Sequence, residues 1–230
     1  MAVVPMKPVG GPSGYRVVAA KETAVVYLYG PIGSSMWSDE GVSANQFRKD
    51  LTALGNVKTI DVRINSEGGD VFDGQAIYSL LVQHKANVIV HIDGLAASAA
   101  SFIAMAGNTI EVSESAFVMI HNASAMCWGG AGDMRKMADL LETTNGALQD
   151  IYAARTRNTK SDIKKWMDAE TWWTGKEAVA KGFADKVVPN LAIAASVRDP
   201  SKYRHLPTAL RPNRAKAAAM VANIAASARR

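Results

Sequence analysis

The sequence predicts an α/β fold in which stacked βαβ units build a mostly parallel sheet. Short runs rich in Val, Ile and Tyr alternate along the chain with longer segments whose apolar residues recur at helical spacing, a pattern typical of strands joined by crossover helices. The 230 residues are 48% hydrophobic and 20% charged, which suffices for one domain with a sizeable core and excludes disorder throughout. The single cysteine, Cys127, excludes an internal disulfide and fits a reducing compartment.

The elements up to residue 120 follow from periodicity and capping. The Val- and Tyr-rich runs predict strands at 15–20, 24–29, 57–64, 87–92 and 116–120. Helical spacing predicts helices at 43–54, 73–84 and 98–106, with a turn at 65–69. The first helix opens on a capping-box pattern, Ser43 with Gln46, and ends before Gly55.

Beyond residue 131 the pattern predicts one long helix at 132–154. Its apolar stripe consists of Met134, Met137, Leu141, Leu148 and Ile151. Such a stripe indicates either ordinary core or a contact with another subunit. Thr174 and Glu177 form a second capping box, which predicts a short helix ending near Gly182, and a last strand is expected at 185–188.

Charge and composition divide the chain into three regions. A flexible leader is expected at 1–14, which holds three Pro and three Gly, a folded domain at 15–189, and a basic, partly disordered tail at 190–230. The tail carries eight Lys or Arg and one acid, a net +7 against +5 for the whole chain, which leaves −2 for the rest. A uniformly basic nucleic-acid-binding domain is therefore not expected, and any such contact would use the tail.

Neither a membrane span nor a signal peptide is expected. No charge-free stretch holds the roughly 20 strongly apolar residues that cross a bilayer, and Pro and Gly interrupt the N-terminal segment where a signal peptide needs a continuous apolar run. We therefore expect a cytoplasmic protein.

Three segments carry residues suited to nucleophilic catalysis. The first, GLAASAAS, begins at Gly94 and places Ser98 between a strand and a helix. A serine there is presented on a sharp turn, and the N–H of Ala99 faces the same space at a helix N-terminus. The alternative is a tightly packed helix start with Ser98 as its N-cap.

The other two segments each allow a structural and a catalytic interpretation. In the 65–69 turn, glycine either supplies positive φ or exposes the Gly69 amide as an oxyanion-hole donor beside that of Ala99. His121, at the end of an apolar strand, is either a satisfied core histidine or the general base that a serine hydroxyl needs near neutral pH.

Taken together, these segments resemble the ClpP-like serine peptidases, the proteolytic subunit of the Clp protease. The matching stretches occur in the family's order over about residues 22–189 and read VYLYG (26–30), INSEGG (64–69), GLAAS (94–98), MIH (119–121) and EAVAKGFAD (177–185). The resemblance implies a ClpP/crotonase-type fold of stacked βαβ units, a Ser-His-acid triad, and assembly into rings that enclose the active sites. The long late helix would lie where that family makes its contacts between rings.

The resemblance also implies a role for individual residues. Ser98 matches the nucleophile and His121 the general base, and the oxyanion amides fall on Gly69 and Ala99. The third triad position, an Asp in the family, is Glu170 here, with Asp168 as the fallback acid. The chain departs from the housekeeping subunit at three points: Glu67 where Pro is usual, Asn122-Ala123 where Gln-Pro is usual, and Ala169 where many members have a basic residue.

The segments NSEGGDVF (65–72) and ETWW (170–173) are most similar to phage and prophage ClpP-like proteins associated with head maturation. The expected partners are peptide or protein substrates, further copies of the chain, and either a Clp-type ATPase or phage capsid proteins. The chain has no P-loop pattern, so an ATPase would be a separate protein. No cofactor or metal is expected.

The leading hypothesis is therefore a serine endopeptidase. The alternatives are the housekeeping ATP-dependent Clp subunit, a crotonase-like acyl-CoA hydratase or isomerase, and an inactive ring-forming scaffold. The crotonase chemistry has no use for a Ser-His pair, and the chemically competent triad positions disfavour a decayed site. Cys127, between Met126 and Trp128, is expected to be a packing residue because no second base is placed for it.

Overall fold

One sheet of eight strands runs through the described residues, which are 14–33, 41–190, 197 and 199–211 of a computed structural model. The strands are β1 (Tyr15–Ala20), β2 (Thr23–Tyr29), β3 (Thr59–Ser66), β4 (Asn87–Ala97), β5 (Thr109–Ser113), β6 (Phe117–Ile120), β7 (Thr171–Thr174) and β8 (Lys186–Val188). The sheet order is β1-β2-β3-β4-β5-β8, with β6 paired to β4 and β7 to β6. Only the β1–β2 and β6–β7 pairs are antiparallel, which confirms the predicted mostly parallel α/β class.

Helices connect these strands. They are α1 (Ala44–Ala53), α2 (Val71–Val82), α3 (Ala99–Ala104), α4 (Ala131–Thr156), α5 (Lys160–Asp168) and α6 (Gly175–Ala180). Four begin at a side chain that accepts a first-turn N–H, and these caps are Ser43, Asp70, Thr159 and Thr174. None of the described helices combines the length and apolar character needed to cross a membrane.

Alternating burial along the central strands explains how the sheet builds the core. Along β3 the residues at 60, 62, 64 and 66 are buried and their neighbours half-buried, as expected for one face packed under helices. Gly74 in α2 lies against α3, because a Cβ there would come within 2.7 Å of the Phe102 ring. This close packing keeps α3, which follows the candidate nucleophile, rigidly in the core.

Strand β4 is longer than the pattern predicts. The sequence predicts a strand at 87–92, whereas β4 continues to Ala97. Its second half leaves β5 and pairs with β6, in the register Leu95↔Phe117 and Ala97↔Met119. The small buried residues at 94–97 therefore form a strand end, and α3 starts at Ala99 rather than at Ser98.

The apolar stripe of α4 divides into two parts. Of its five residues only Leu148 is buried. Met134, near the start of the helix, is 44% exposed, as is its neighbour on the helix Leu140 at 45%. The interpretation of the stripe as core is therefore wrong for Met134, because most residues in the first half of α4 are exposed.

The chain divides into two compact units, residues 1–195 and 196–230. The described part of the second unit contains two short 3-10 helices, Pro200–Lys202 and Thr208–Leu210. The expected leader, apart from Gly14, lies outside the described residues, as does the expected weak helix at 215–228. The boundaries at 15–189 and 190–230 stay predictions.

Candidate active site

Ser98 is held in a backbone conformation that non-glycine residues rarely adopt. Its φ is +52° and its ψ −124°, at the junction of β4 and α3. Its N–H donates to the Met119 carbonyl at 3.0 Å, and its carbonyl accepts the Ser101 N–H at 2.9 Å. Ser98 occupies the N-cap position of α3, as the structural alternative expects, but its side chain makes no capping hydrogen bond. Such strain costs on the order of 1–3 kcal/mol and persists only where the surroundings enforce it.

His121 faces the Ser98 hydroxyl. It follows β6, and the pairing of β6 with the end of β4 brings the carboxyl ends of the two strands together. The distance from His121 Nε2 to Ser98 Oγ is 2.8 Å. This is a hydrogen bond within the range that proton transfer to a general base requires. The predicted pairing of a serine hydroxyl with an imidazole is thus present in the geometry.

Glu170 and His121 flank the same end of one strand pair. The β6–β7 ladder ends at Ile120↔Thr171, and His121 follows the first of these residues while Glu170 precedes the second. The Glu170 side chain is 7% exposed and accepts the Trp172 Nε1–H at 3.2 Å. Its φ is +48°, so the chain turns sharply at this residue.

Asp168, the fallback acid, is directed elsewhere. Its carboxylate accepts the Asn122 side-chain N–H at 2.9 Å and pairs with Lys164 at 2.7 Å. The Lys164 hydrogen bond, helped by that of Asn122, lowers the pKa of this carboxyl. The Asp168 carboxylate is thus engaged by Asn122 and Lys164, and Glu170 as the triad acid stays a prediction.

The 68–69 turn lies against the Ser98 elbow. A Cβ at Gly68 would meet the Ala97 carbonyl oxygen at 2.6 Å and the Ala99 nitrogen at 2.7 Å, and φ there is +90°. Ser66 stabilises the turn by two hydrogen bonds, because its hydroxyl accepts the Gly68 N–H and donates to the Gly30 carbonyl. Only glycine allows this contact between the turn and the elbow.

The predicted oxyanion donors are the backbone amides of Gly69, which follows Gly68 in the turn, and of Ala99, which follows Ser98. Ile32 bonds on either side of Gly69, donating to the Gly68 carbonyl at 2.9 Å and accepting the Asp70 N–H at 2.8 Å. The N–H groups of Gly69 and Ala99 themselves donate to none of the described residues. Two such amides beside a nucleophile can receive a developing oxyanion.

Ser101 and Tyr152 are polar residues of the site that the sequence reasoning missed. Both are buried behind Ser98, and their hydroxyls lie 2.7 Å apart. The signal for Ser101 was its position three residues after Ser98. The signal for Tyr152 was its position one turn after Leu148 on the buried face of α4, where an aromatic residue with a hydroxyl group needs a hydrogen-bond partner.

Cys127 is half-buried, and its thiol lies 3.8 Å from the Asp133 carbonyl oxygen. Its neighbours Met126 and Trp128 are almost completely exposed, at 99% and 100%. Within the described ranges, no cluster of three His, Cys, Asp or Glu side chains has the geometry to hold a metal ion.

A serine on a strand-to-helix elbow, a histidine at hydrogen-bond distance and a layered parallel sheet define a serine-peptidase class of enzyme. The chain belongs to the Clp protease family. The family model described as Clp protease matches residues 21–190, and the enzyme is a ClpP-like serine peptidase.

Curated relatives agree with this assignment. The ATP-dependent Clp protease proteolytic subunit 1 of Corynebacterium jeikeium (strain K411) is 31% identical over 140 residues, 60% of this chain and 74% of the relative. Proteolytic subunit 2 of Rhodococcus jostii (strain RHA1) is 32% identical over 146 residues, 63% of this chain and 75% of the relative. Proteolytic subunit 3 of Streptomyces coelicolor (strain ATCC BAA-471 / A3(2) / M145) is 32% identical over 156 residues, 66% of this chain and 72% of the relative.

Proposed function

We propose that this chain hydrolyses peptide bonds with Ser98 as nucleophile, His121 as general base and Glu170 as the acid that orients the histidine. The observation that carries the proposal is the 2.8 Å contact between His121 Nε2 and Ser98 Oγ. As Oγ attacks the scissile carbonyl, Nε2 takes its proton. A buried carboxylate beside the imidazole keeps the correct tautomer and stabilises the imidazolium that forms.

The tetrahedral intermediate needs hydrogen-bond donors for its oxygen. In this proposal the amides of Gly69 and Ala99 supply them. His121 then returns the proton to the leaving amine, which leaves an acyl-enzyme on Ser98. A water molecule, deprotonated by His121, attacks the ester and releases the carboxylic acid product, which restores the free hydroxyl.

The family match and the Ser98–His121 pair disfavour the other enzyme classes. A crotonase-like reaction would have no use for that pair. An inactive scaffold would have no reason to retain Ser98 at a strained positive φ, because strain of this kind is typical of functional sites.

The proposal extends to assembly and substrate. The relatives are named as proteolytic subunits of an ATP-dependent protease. This supports self-association into rings, to which a separate ATPase would deliver the protein substrate. Exposed apolar side chains on the loop before α4 and on its first half, Trp128, Met134 and Leu140, offer surface for such contacts. The phage-like segments at 65–72 and 170–173 support capsid proteins as substrate, and capsid and portal genes beside this gene would support that assignment.

The experiment that tests the function is covalent labelling by a fluorophosphonate, which reacts with activated serines. We expect labelling of the wild-type protein at Ser98 and hydrolysis of a fluorogenic peptide, and loss of both in Ser98→Ala. Ser79→Ala, which removes an exposed serine hydroxyl from α2, serves as the matched control and should retain both. Wild-type rates of hydrolysis in purified Ser98→Ala would refute the assignment.

A further inference from the structure

Two buried hydroxyls form a relay behind the candidate nucleophile. Ser101 Oγ lies 2.6 Å from the carbonyl oxygen of Ser98, and Tyr152 Oη lies 2.7 Å from Ser101 Oγ. Ser101 is 0% and Tyr152 1% exposed. The relay therefore links the C-terminal part of the long helix α4 to the backbone of the elbow through α3.

The direction of the hydrogen bonds follows from the acceptor at the end of the relay. A carbonyl oxygen only accepts, so the Ser101 hydroxyl donates its single hydrogen to the Ser98 carbonyl. Its hydroxyl oxygen must then accept from Tyr152. Burial raises the pKa of Tyr152 above its ordinary value, so the phenol stays a donor throughout the neutral range.

The relay acts on the peptide unit that contains the Ala99 amide. In a trans peptide the carbonyl of Ser98 and the N–H of Ala99 lie in one plane and point in opposite directions. The carbonyl is held twice by Ser101, through the backbone N–H at 2.9 Å and through the hydroxyl at 2.6 Å. Fixing the oxygen on the buried side fixes the N–H on the opposite side, where it donates to no described residue.

A conformation with positive φ at Ser98 needs such support. Without the side-chain hydrogen bond the carbonyl would retain only the bond from the Ser101 backbone, and the peptide plane would be freer to rotate. An oxyanion donor loses most of its effect when it is misaligned, because hydrogen bonds weaken steeply with angle. Hydrogen bonds in a chain also polarise one another, so the Tyr152 bond strengthens the one that Ser101 makes.

We propose that Ser101 and Tyr152 are positioning residues that align the Ala99 amide for oxyanion binding. The proposal rests on the proposed function, in which Ala99 is one of the two oxyanion donors. Neither hydroxyl touches the substrate, and both act through the Ser98–Ala99 peptide unit.

The test compares Ser101→Ala, Tyr152→Phe and the double variant. We expect Ser101→Ala to lower kcat by about 10- to 100-fold, less than the 10²–10³-fold loss on deleting an oxyanion donor outright, and Tyr152→Phe to lower it several-fold. KM should stay within about twofold, because the relay affects the transition state rather than substrate binding. Since Tyr152 acts through Ser101, its substitution in the Ser101→Ala background should change kcat no further.

The control is Tyr15→Phe, which removes another largely buried phenol hydroxyl, the one that donates to Asp50 at 2.9 Å on α1. It should lower stability as Tyr152→Phe does, yet leave kcat unchanged. If the wild type is not labelled at Ser98, the proposed function fails and the relay's role with it. If the wild type is labelled and both folded single variants retain wild-type kcat, the relay is structural only and the proposal is overturned. Should Ser101→Ala not fold, an unchanged kcat in Tyr152→Phe alone overturns it.

Discussion

Ser98 has a positive φ that no turn or helix end explains. Within the described part of the chain, non-glycine residues with positive φ are Lys21, Ser98, Arg157 and Glu170. Lys21 lies in the β1–β2 turn and Arg157 caps the end of α4, positions where left-handed backbone is routine. Glu170 directly follows Ala169, the C-cap of α5, where left-handed backbone is also common. Ser98 has no such role, and its strain is of the kind that packing and hydrogen bonds maintain at functional sites.

The acid of the triad gives the first prediction at this scale. Glu170→Gln is expected to lower kcat by about 10⁴-fold, as when a triad acid becomes an amide, because the amide leaves the imidazolium without a counter-charge. Asp168→Asn should cost far less, because that carboxylate is exposed and engaged by Lys164 and Asn122. Peptide hydrolysis by the purified variants measures both effects. Loss of peptide hydrolysis in Asp168→Asn, with hydrolysis retained in Glu170→Gln, would assign the triad acid to Asp168 instead.

Sequence patterns identify the reacting groups better than their supports. Ser98, His121 and Glu170 occur in segments with a recognisable order, and the pairing of β4 with β6 then brings Ser98 and His121 together. Ser101 and Tyr152 are 51 residues apart. Their meeting depends on how α3 packs against α4, and nothing in either local segment indicates it.

At the scale of single elements, the two capping-box patterns have different outcomes. Ser43 accepts the Gln46 N–H, but the Gln46 side chain donates to Asp50 instead of accepting at the cap. At α6 the Glu177 carboxylate accepts both the backbone N–H and the hydroxyl of Thr174, each at 2.8 Å. A charged carboxylate is the stronger acceptor for an unpaired N–H, which favours the complete box at Glu177.

The complete box predicts a pH dependence of stability. The hydrogen bonds from Thr174, first that of its backbone, lower the pKa of Glu177 below its ordinary 4.5. A lowered folded pKa means that the stabilisation is full above about pH 4.5 and is lost as pH falls through the folded value. Glu177→Gln should therefore reduce the unfolding free energy by about 0.3–1 kcal/mol at pH 7, and the difference should shrink below pH 4.5.

Denaturant unfolding at pH 7 and at pH 4 or below, as far as the protein stays folded, measures this difference. In a Thr174→Ala background, which removes the hydroxyl partner, Glu177→Gln should reduce the unfolding free energy by less at pH 7. If Glu177→Gln alone reduces the unfolding free energy equally at both pH values, the carboxylate charge does not support the cap.

The elements that the sequence reasoning missed are short or depend on tertiary pairing. β5 (TIEVS) and β7 (TWWT) have five and four residues, too few for a periodicity to stand out. The extension of β4 through 94–97 follows from its pairing with β6, which local preference does not encode. α5 was also missed, although its sequence indicates a helix. Thr159 and Asp162 form an N-terminal cap, and the apolar Ile163 and Met167 lie four residues apart on its buried face.

At the scale of the whole molecule, the peptidase domain closes through contacts late in the chain. β8 pairs with β5, and Asp185 both accepts the Ile110 N–H at 2.7 Å and pairs with Arg155 at 2.6 Å. The Asn190 side chain accepts the Ser115 N–H at 2.7 Å. The chain is thus tied into the sheet up to residue 190, which is also where the family match ends.

The last prediction follows from this boundary. A chain cut after residue 195 should fold and cleave a small peptide at close to the full-length rate, since it keeps β8 and Asn190, whereas a chain cut after residue 185 should not fold. The part removed by the first cut has eight Lys or Arg and one acid. Three of its residues, Val197, Leu206 and Leu210, are buried, and its excess of positive charge is the property that we expect to act in targeting.

Two measurements separate the outcomes. Peptide hydrolysis and thermal unfolding of the two truncated chains test whether residues beyond 195 belong to the domain, and loss of folding in the longer one would overturn the boundary. Binding to a polyanion such as heparin tests the charge of the segment. The full-length protein should bind and the chain ending at 195 should not, and binding should weaken steeply with added salt, because exposed cations are screened beyond about 8 Å at physiological ionic strength.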